Sequence, residues 1–415
     1  MKQRLGILSL GCPRNLVDSE SLLGRLNAKG YSIVDDIAEA EVALVNTCAF
    51  IEEAKRESVE AILDLIELKK KGKLKKIIVY GCLAQRYKDL SKELPEIDAF
   101  VGALGLNHES GRFALTPKYY AYLKICEGCV NNCSYCVIPK IKGPLKSLGE
   151  SSIIQKVKRF NQEKISELNI IGQDITGYGL DSGRQSRLCG ILREIIRNAP
   201  DIGWIRLLYL NPKRLSDELL ELIRAHEQVC RYIDLPIQHI NNRILKLMNR
   251  LITKEEIISL IDRIRKTIPG VCLRTSLIVG FPSETDKEFE ELLNFVREVK
   301  FDRLGAFIYS REESTAAYSF KGQIDQKLKQ KRFDAVMAAQ QEISVEVNAG
   351  FLGRSLRVLI EEERDGAYIG RSQLDAPEVD GLVYVNSKRL LKKGEFVEVK
   401  ITDTLEYDLA GEVAR

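Results

Sequence analysis

Short apolar runs alternate with longer amphipathic segments through the first quarter of the chain. The apolar runs Arg4–Leu10, Val42–Asn46 and Lys76–Tyr80 predict three buried strands, and the segments 16–29 and 51–68 predict helices. A further helix is predicted after the third strand. Such alternation is typical of a parallel sheet with helices on its faces, so we predict an N-terminal parallel α/β domain.

The same alternation continues through the middle of the chain. The predicted strands there are Tyr120–Lys124, Leu168–Ile171, Trp204–Leu208, Tyr232–Leu235, Cys272–Val279 and Arg303–Ile308, and helical segments separate most of them. We predict a (β/α)6 barrel, incomplete rather than closed, in which the loops after the strands carry the function.

The pattern changes near the end of the chain. One long amphipathic helix is predicted over 325–348, and short strands with polar alternation and glycine-bearing turns follow it. These strands predict a small antiparallel β-barrel. The predicted domains are therefore 1–112, 113–348 and 349–415.

Composition and charge narrow the class of protein. The chain has 415 residues, 45% hydrophobic and 29% charged, which is an ordinary globular mixture. Its net charge of +4 is too small to indicate nucleic-acid binding by itself. No secretory signal is visible, and no apolar run approaches the ~18 residues that would span a membrane, so we expect no membrane association and a cytoplasmic location.

The terminal module differs in charge from the rest of the chain. Residues 351–415 carry a net charge of −3, which leaves +7 on the remainder. An acidic module suits a basic protein partner better than a phosphate backbone, which is bound through Lys and Arg. A merely solvated acidic surface is the alternative interpretation.

Four of the ten cysteines fall between positions 126 and 136. Cys129, Cys133 and Cys136 are spaced C-x3-C-x2-C, and three thiolates in one loop suit an iron–sulfur cluster or zinc. In the zinc alternative, Cys126 would be the fourth ligand. Clustered thiols in a reducing cytosol are ligands more often than disulfides.

Three further cysteines each lie just past the carboxyl end of a predicted strand. Cys12, Cys48 and Cys82 are separated by 36 and 34 residues, about one βα unit each. Because ligands collect at the carboxyl ends of strands in an open parallel sheet, we predict a second three-thiolate site there. The alternative is that each is simply a small buried residue at a strand end.

The cysteine spacing, with Tyr135 before the last cysteine, resembles the motif of the radical S-adenosylmethionine (SAM) superfamily. Together with the three upstream cysteines and the terminal module, the whole chain resembles the methylthiotransferases. The segments Ser9–Ser19, Leu115–Pro117, Gln173-Asp174 and Asp375–Gly381 resemble the branch called RimO, which modifies an aspartate of the small-subunit ribosomal protein S-twelve. Relatives that act on transfer RNA usually lack the Cys-Pro-Arg/Lys-Asn and Asp-Ala-Pro-Glu elements.

The resemblance implies two 4Fe-4S clusters, SAM and a TRAM-like terminal barrel. The cluster on Cys129, Cys133 and Cys136 would split SAM to a radical that removes hydrogen from an unactivated carbon. The cluster on Cys12, Cys48 and Cys82 would present the sulfur, and a second SAM the methyl group. The SAM contacts implied by the resemblance are Tyr135, Gln173, Gln238, Arg274 and Gly280.

The implied partners are ribosomal protein S-twelve, bound through the acidic terminal barrel, an electron donor such as flavodoxin or ferredoxin, and a sulfur donor; we expect a monomer. A tRNA-adenosine methylthiotransferase is the alternative function, and a non-enzymatic metal-binding or electron-carrier protein is a remote one.

The sequence departs from the family at Cys126, Lys142, Leu148, Asn211 and Ser283. These departures indicate that the loop after the cluster binds SAM or substrate differently. His239 is expected to be structural rather than catalytic.

Overall fold

A parallel sheet, an open barrel and a small closed barrel follow one another along the chain in the computed structural model, which describes residues 2–106 and 111–414. The first unit contains strands β1 (Arg4–Ser9), β2 (Ser32–Ile33), β3 (Val42–Thr47), β4 (Lys76–Gly81) and β5 (Ala99–Val101), all parallel, in the order β2-β1-β3-β4-β5. Its helices are α1 (Pro13–Ala28), α2 (Glu52–Lys70), α3 (Cys82–Arg86) and α4 (Leu90–Glu93).

The order of the strands brings the ends of β1, β3 and β4 side by side. Strand β3 is buried along its whole length, because it lies at the centre of the sheet with helices covering it. Helix α1 begins three residues before the predicted start, since Pro13 occupies its first position, where the missing backbone N–H costs nothing. The three cysteine-bearing strand ends therefore lie along one edge of the sheet.

The second unit contains six barrel strands and a small two-stranded sheet. The barrel strands are β6 (Tyr120–Lys124), β9 (Glu167–Ile171), β10 (Trp204–Leu207), β11 (Tyr232–Asp234), β12 (Cys272–Val279) and β13 (Arg303–Ile308), and the small antiparallel sheet pairs β7 (Cys126–Glu127) with β8 (Lys146–Ser147). Within the described residues they form the parallel sheets β10-β9-β6 and β11-β12-β13, joined by a bridge between Ile205 and Val229. Strands β6 and β13 do not pair in that part of the chain, so the barrel is incomplete, as predicted.

Helices cover the outside of this barrel. The short helix α5 (Ile138–Ile141) packs instead against the apolar core of the first unit, and the covering helices are α6 (Glu150–Gln162), α7 (Leu188–Asn198), α8 (Asp217–Ala225), α9 (Asn242–Leu247), α10 (Lys254–Thr267), α11 (Asp286–Val299) and α12 (Gln326–Ala349). Short 3₁₀ turns lie at Ile37–Glu39, Ile175–Gly177, Pro212–Arg214 and Ala316–Ser319. The largest apolar core lies between these helices and the strands. In the described ranges, no helix is long and apolar enough to cross a membrane.

The third unit is a closed five-stranded barrel. Its strands are β14 (Ser355–Arg364), β15 (Ala367–Ser372), β16 (Val383–Asn386), β17 (Phe396–Thr404) and β18 (Leu409–Val413), in the order β14-β15-β16-β18-β17. Four of the five pairings are antiparallel, and β16 with β18 is parallel. Closure leaves the module without a free sheet edge.

The terminal barrel docks on the amino ends of the large barrel's strands. Arg303, at the start of β13, pairs with Asp375 at 2.6 Å, and Tyr232, at the start of β11, donates a hydrogen bond to Asp380 at 2.6 Å. Arg371 pairs with buried Glu167 at 2.5 Å. Asp375 and Asp380 of the module are therefore held inside the chain, whereas the pair of Arg371 with Glu167 withdraws one positive charge of the module from solvent.

A candidate double cysteine site at the mouth of the barrel

The loop after β6 carries Cys129, Cys133 and Cys136, named here the barrel set. Ser134 anchors the loop, because its N–H donates to Met248 O at 3.0 Å and its hydroxyl to Leu247 O at 2.7 Å. Burial, and then the neighbouring thiols Cys133 and Cys129, raise the pKa of Cys136 to about 12. These thiols therefore lie near one another, and the Cys136 thiol would need positive charge from a bound metal to ionise at neutral pH.

Cys12, Cys48 and Cys82, named here the sheet set, follow β1, β3 and β4. Asn15 ties the three strand ends together: its Nδ2 donates to Leu10 O at 3.0 Å and Thr47 O at 3.2 Å, and Cys82 Sγ lies 3.8 Å from its Oδ1. Gly11 has a φ of +88°, and a Cβ there would lie 3.1 Å from Cys48 Sγ. The turn thus holds the strand ends in close contact, in a conformation that favours glycine.

Arg14 links the sheet set to the barrel unit, and its charge also opposes the rise in the pKa of Cys136 in the barrel set. Its Nε donates to Cys12 Sγ at 3.3 Å, its Nη1 donates to Gly172 O at 3.0 Å, and its guanidinium lies 4.5 Å from the centre of the Tyr209 ring. Gly172 directly follows β9 and Tyr209 lies two residues past the end of β10, so the first unit covers the carboxyl ends of the barrel strands. Burial opposes ionisation of Cys12, but the charge and hydrogen bond of Arg14 lower the pKa of that thiol.

A buried group of four charges joins the same two units. Lys124 pairs with Asp18 and Glu127, and Lys142 lies 3.2 Å from Asp18 and 3.3 Å from Glu127. All four side chains are at most 7% exposed. We name them the buried quartet. Sequence reasoning missed both the quartet and the role of Asn15, because contacts between distant segments leave no local pattern.

The departures from the family have structural roles here. Lys142 belongs to the buried quartet, and Leu148 packs in the main apolar core. Asn211 accepts a hydrogen bond from Lys213 N at 3.0 Å, and Ser283 has a φ of +65°, where the family's usual glycine would be unstrained. For Lys142 and Leu148, the observed contacts bind the loop to the protein itself.

The predicted SAM contacts do not all lie together, and they remain predictions. Gln173 donates to Glu127 at 2.8 Å, and its buried Oε1 has no partner among the described residues. Tyr135 packs beside the barrel set, while Gln238 and Gly280 follow β11 and β12 with φ of +74° and +73°. Arg274, in contrast, pairs with Asp234 at 3.1 Å and with Asp380 of the terminal barrel at 3.3 Å.

His239 is a structural residue in this arrangement. It is fully buried, and its Nδ1 accepts a hydrogen bond from Asn241 N at 3.0 Å. Burial lowers its pKa to about 3. The imidazole therefore stays neutral at physiological pH, which argues against a role in general acid–base catalysis.

The donor chemistry of both cysteine sets fits iron–sulfur clusters. Each set offers three thiols, all ten cysteines are free, and the unpartnered Oε1 of Gln173 offers an acceptor near the barrel set. Across 2–106 and 111–414, no three His, Cys, Asp or Glu side chains lie as close as the ligands of one metal ion would. Ligands of a cluster bind different irons and so need not converge on one point.

Replacing Cys126 with serine is expected to leave the iron content unchanged. Cys126 is fully buried, and its Sγ lies 3.8 Å from Asp174 O, within the main core rather than in the loop of the barrel set. Iron and sulfide assays after anaerobic reconstitution test this prediction. A loss of about four irons per chain would move the ligand assignment by one cysteine.

Three family matches cover the three units in order. Residues 4–102 match the family described as Uncharacterized protein family UPF0004, residues 123–296 match the radical SAM superfamily, and residues 352–414 match the TRAM domain. Among solved structures, the radical S-adenosylmethionine methyltransferase TsrM from Kitasatospora setae is similar over 88% of this chain and 80% of its own, with a TM-score of 0.57 and 14% identity. The predicted fold class is confirmed.

Curated relatives match over the whole chain. The ribosomal protein uS12 methylthiotransferase RimO of Clostridioides difficile is 46% identical over 99% of this chain and 98% of its own length. The protein of the same name from Caldanaerobacter subterraneus is 47% identical over 99% of this chain and 100% of its own. With such similarity over full length and the three matched domains in this order, the chain belongs to the RimO family of radical SAM methylthiotransferases.

Proposed function

We propose that this protein is a radical SAM methylthiotransferase that modifies an aspartate side chain of ribosomal protein S-twelve, the protein after which its relatives are named. The observation that carries the proposal is that Arg14, which donates a hydrogen bond to Cys12 of the sheet set, also contacts Gly172 and Tyr209 at the mouth of the barrel that carries the barrel set. One set alone would suit many radical enzymes, whereas inserting sulfur into a C–H bond needs a sulfur source beside the radical source. The two sets supply these two positions.

The assignment of ligands belongs to the same proposal. A 4Fe-4S cluster on the barrel set together with SAM supplies radical chemistry when bound, and a second cluster on the sheet set supplies the sulfur. The domain division 1–112, 113–348 and 349–415 is proposed with it, because the first two domains then each carry one set.

The protein's own residues position and shield these groups. Arg14 donates to Cys12 and, through its contacts with Gly172 and Tyr209, fixes the sheet set against the barrel. The buried quartet closes one side of the junction between the first unit and the mouth of the barrel. On another side, Glu312 after β13 pairs with Arg86 at 2.6 Å and with Lys55 at 3.1 Å. Walls on these two sides limit the access of water to a reactive radical.

Partners follow from the same chemistry. Electrons and replacement sulfur must come from outside the chain, so we propose a flavodoxin- or ferredoxin-type donor and a separate sulfur donor. The protein acts as a monomer in the cytoplasm in this proposal. Acidic side chains that stay exposed on the terminal barrel are available to basic S-twelve; among them are Glu363, Asp365, Glu398, Asp403 and Glu406.

Mass spectrometry of a host strain that lacks its own enzyme tests the proposed function. Expression of this protein is expected to restore the methylthio mass on S-twelve and to leave tRNA nucleosides unchanged. A methylthio group that appears on tRNA adenosine, with S-twelve unmodified, would establish the alternative function. Two bound zinc ions, with no 5′-deoxyadenosine formed from SAM and reductant, would contradict the enzyme assignment altogether.

A further inference from the structure

This inference rests on the proposed function, in which the reacting carbon belongs to an aspartate side chain and its position determines which substrate groups enter the site. An aspartate side chain has one carbon that carries hydrogen, and that carbon is bonded directly to the carboxylate. The carboxylate must therefore enter the junction between the two cysteine sets together with the reacting carbon. A carboxylate moved out of water needs a cation or several hydrogen-bond donors.

Most cations around the junction already have a carboxylate partner. Lys124 and Lys142 pair within the buried quartet, and Arg214 pairs with Asp174. Arg86 pairs with Glu312. Arg14 forms no ion pair with any Asp or Glu of the described residues, although its Nε lies against Cys12 and its Nη1 against Gly172 O. No carboxylate of the described residues therefore contacts this guanidinium, and a ligand carboxylate can pair with it beside the Cys12 thiol that it already touches.

The geometry of Arg14 leaves one donor for that ligand. Nε and Nη1 are occupied, the ring of Tyr209 supports the guanidinium, and Nη2 makes no hydrogen bond within 2–106 and 111–414. The side chain is partly exposed. A guanidinium fixed in this way presents a charged donor in one direction at little cost in side-chain entropy.

We propose that Arg14 binds the carboxylate of the target aspartate and selects for it. The contact holds the reacting carbon between the sheet set, which Arg14 touches through Cys12, and the barrel, which it touches through Gly172 and Tyr209. Selection follows because an asparagine amide carries no negative charge to pair with this cation. The expected preference for aspartate is on the order of 10- to 100-fold in affinity.

Arg250 is the alternative candidate for binding the substrate carboxylate. It also forms no ion pair among the described residues, and its Nη1 lies 3.9 Å from Cys133 Sγ while its Nη2 donates to Pro236 O at 2.6 Å. Both contacts lie within the barrel unit, and neither reaches the sheet set. Arg14 contacts both units, which favours it as the group that holds a substrate between them.

Binding measurements on the reconstituted protein without reductant test the proposal. Labelled S-twelve and its variant with the target aspartate changed to asparagine are titrated by fluorescence anisotropy. Wild-type protein is expected to prefer aspartate by about 10- to 100-fold. Arg14→Gln is expected to abolish the preference while both clusters remain, as iron and sulfide assays would show, and Arg14→Lys to keep part of it because the charge remains.

The outcomes separate this inference from the proposed function. If Arg14→Gln keeps the preference, or if Arg250→Gln and not Arg14→Gln removes it, the role of Arg14 is wrong even though S-twelve is the substrate. If wild-type protein with reductant and SAM leaves S-twelve unmodified, the proposed function fails, and the assignment of Arg14 fails with it.

Discussion

Changing Cys12, Cys48 and Cys82 together to alanine is expected to halve the iron content, from about eight to about four per chain, and to abolish methylthiolation. Cleavage of SAM to 5′-deoxyadenosine should persist. The reason is that the two sets belong to different folded units. The sheet set follows strands of the first unit, whereas the barrel set lies on a loop that Ser134 anchors to Met248 and Leu247 of the barrel.

Iron and sulfide assays, detection of 5′-deoxyadenosine and the mass of S-twelve measure the three parts of this prediction. Cys189→Ala is the matched control, because this half-buried thiol lies on α7, outside both sets, and should change none of them. Iron that stays near eight per chain would exclude the sheet set as ligands. SAM cleavage that disappears together with the four irons would show that the two sets do not act independently.

Much of this arrangement is predictable from local pattern. The six barrel strands follow their apolar runs, and α7 and α10 are helices in the segments between strands where helices were predicted. The strand-end position of each sheet-set cysteine follows from the βα alternation. Strands β2 and β5 were not predicted, because two or three residues at the edge of a sheet are too few to show a period.

The contacts between the three units could not be predicted from the sequence pattern. Arg14 lies inside a segment that resembles the family, yet nothing local shows that it reaches Gly172 and Tyr209. The segment Asp375–Gly381 helped to identify the branch, and the structure uses it to dock the terminal barrel on Arg303 and Tyr232. A charge count could not reveal this docking, because it does not distinguish paired carboxylates from exposed ones.

The buried quartet leads to the second large prediction, which concerns stability. Although burial alone would raise it, Lys124 and Lys142 hold the pKa of Glu127 at about 2, and their own pKa values are raised by Asp18 and Glu127 despite burial. Lys124, Lys142 and Glu127 are therefore charged at neutral pH, and with Asp18 the quartet contains two basic and two acidic side chains. Removing one carboxylate leaves an uncompensated cation between α1 and β6.

Asp18→Ala is accordingly expected to destabilise the protein by about 3–5 kcal/mol and to lower its thermal midpoint by on the order of 5–15 °C. Adding Lys142→Met should recover most of this loss, because Lys124 and Glu127 then form a neutral pair and the methionine fills a similar volume. Thermal unfolding of the cluster-free protein under reducing conditions measures both variants. Glu346→Ala is the control: its ion pair with Lys300 is exposed, so the change should cost less than about 1 kcal/mol. If the double variant is as unstable as Asp18→Ala alone, charge balance is not what the quartet contributes, and the loss must come from the packing of Asp18 itself.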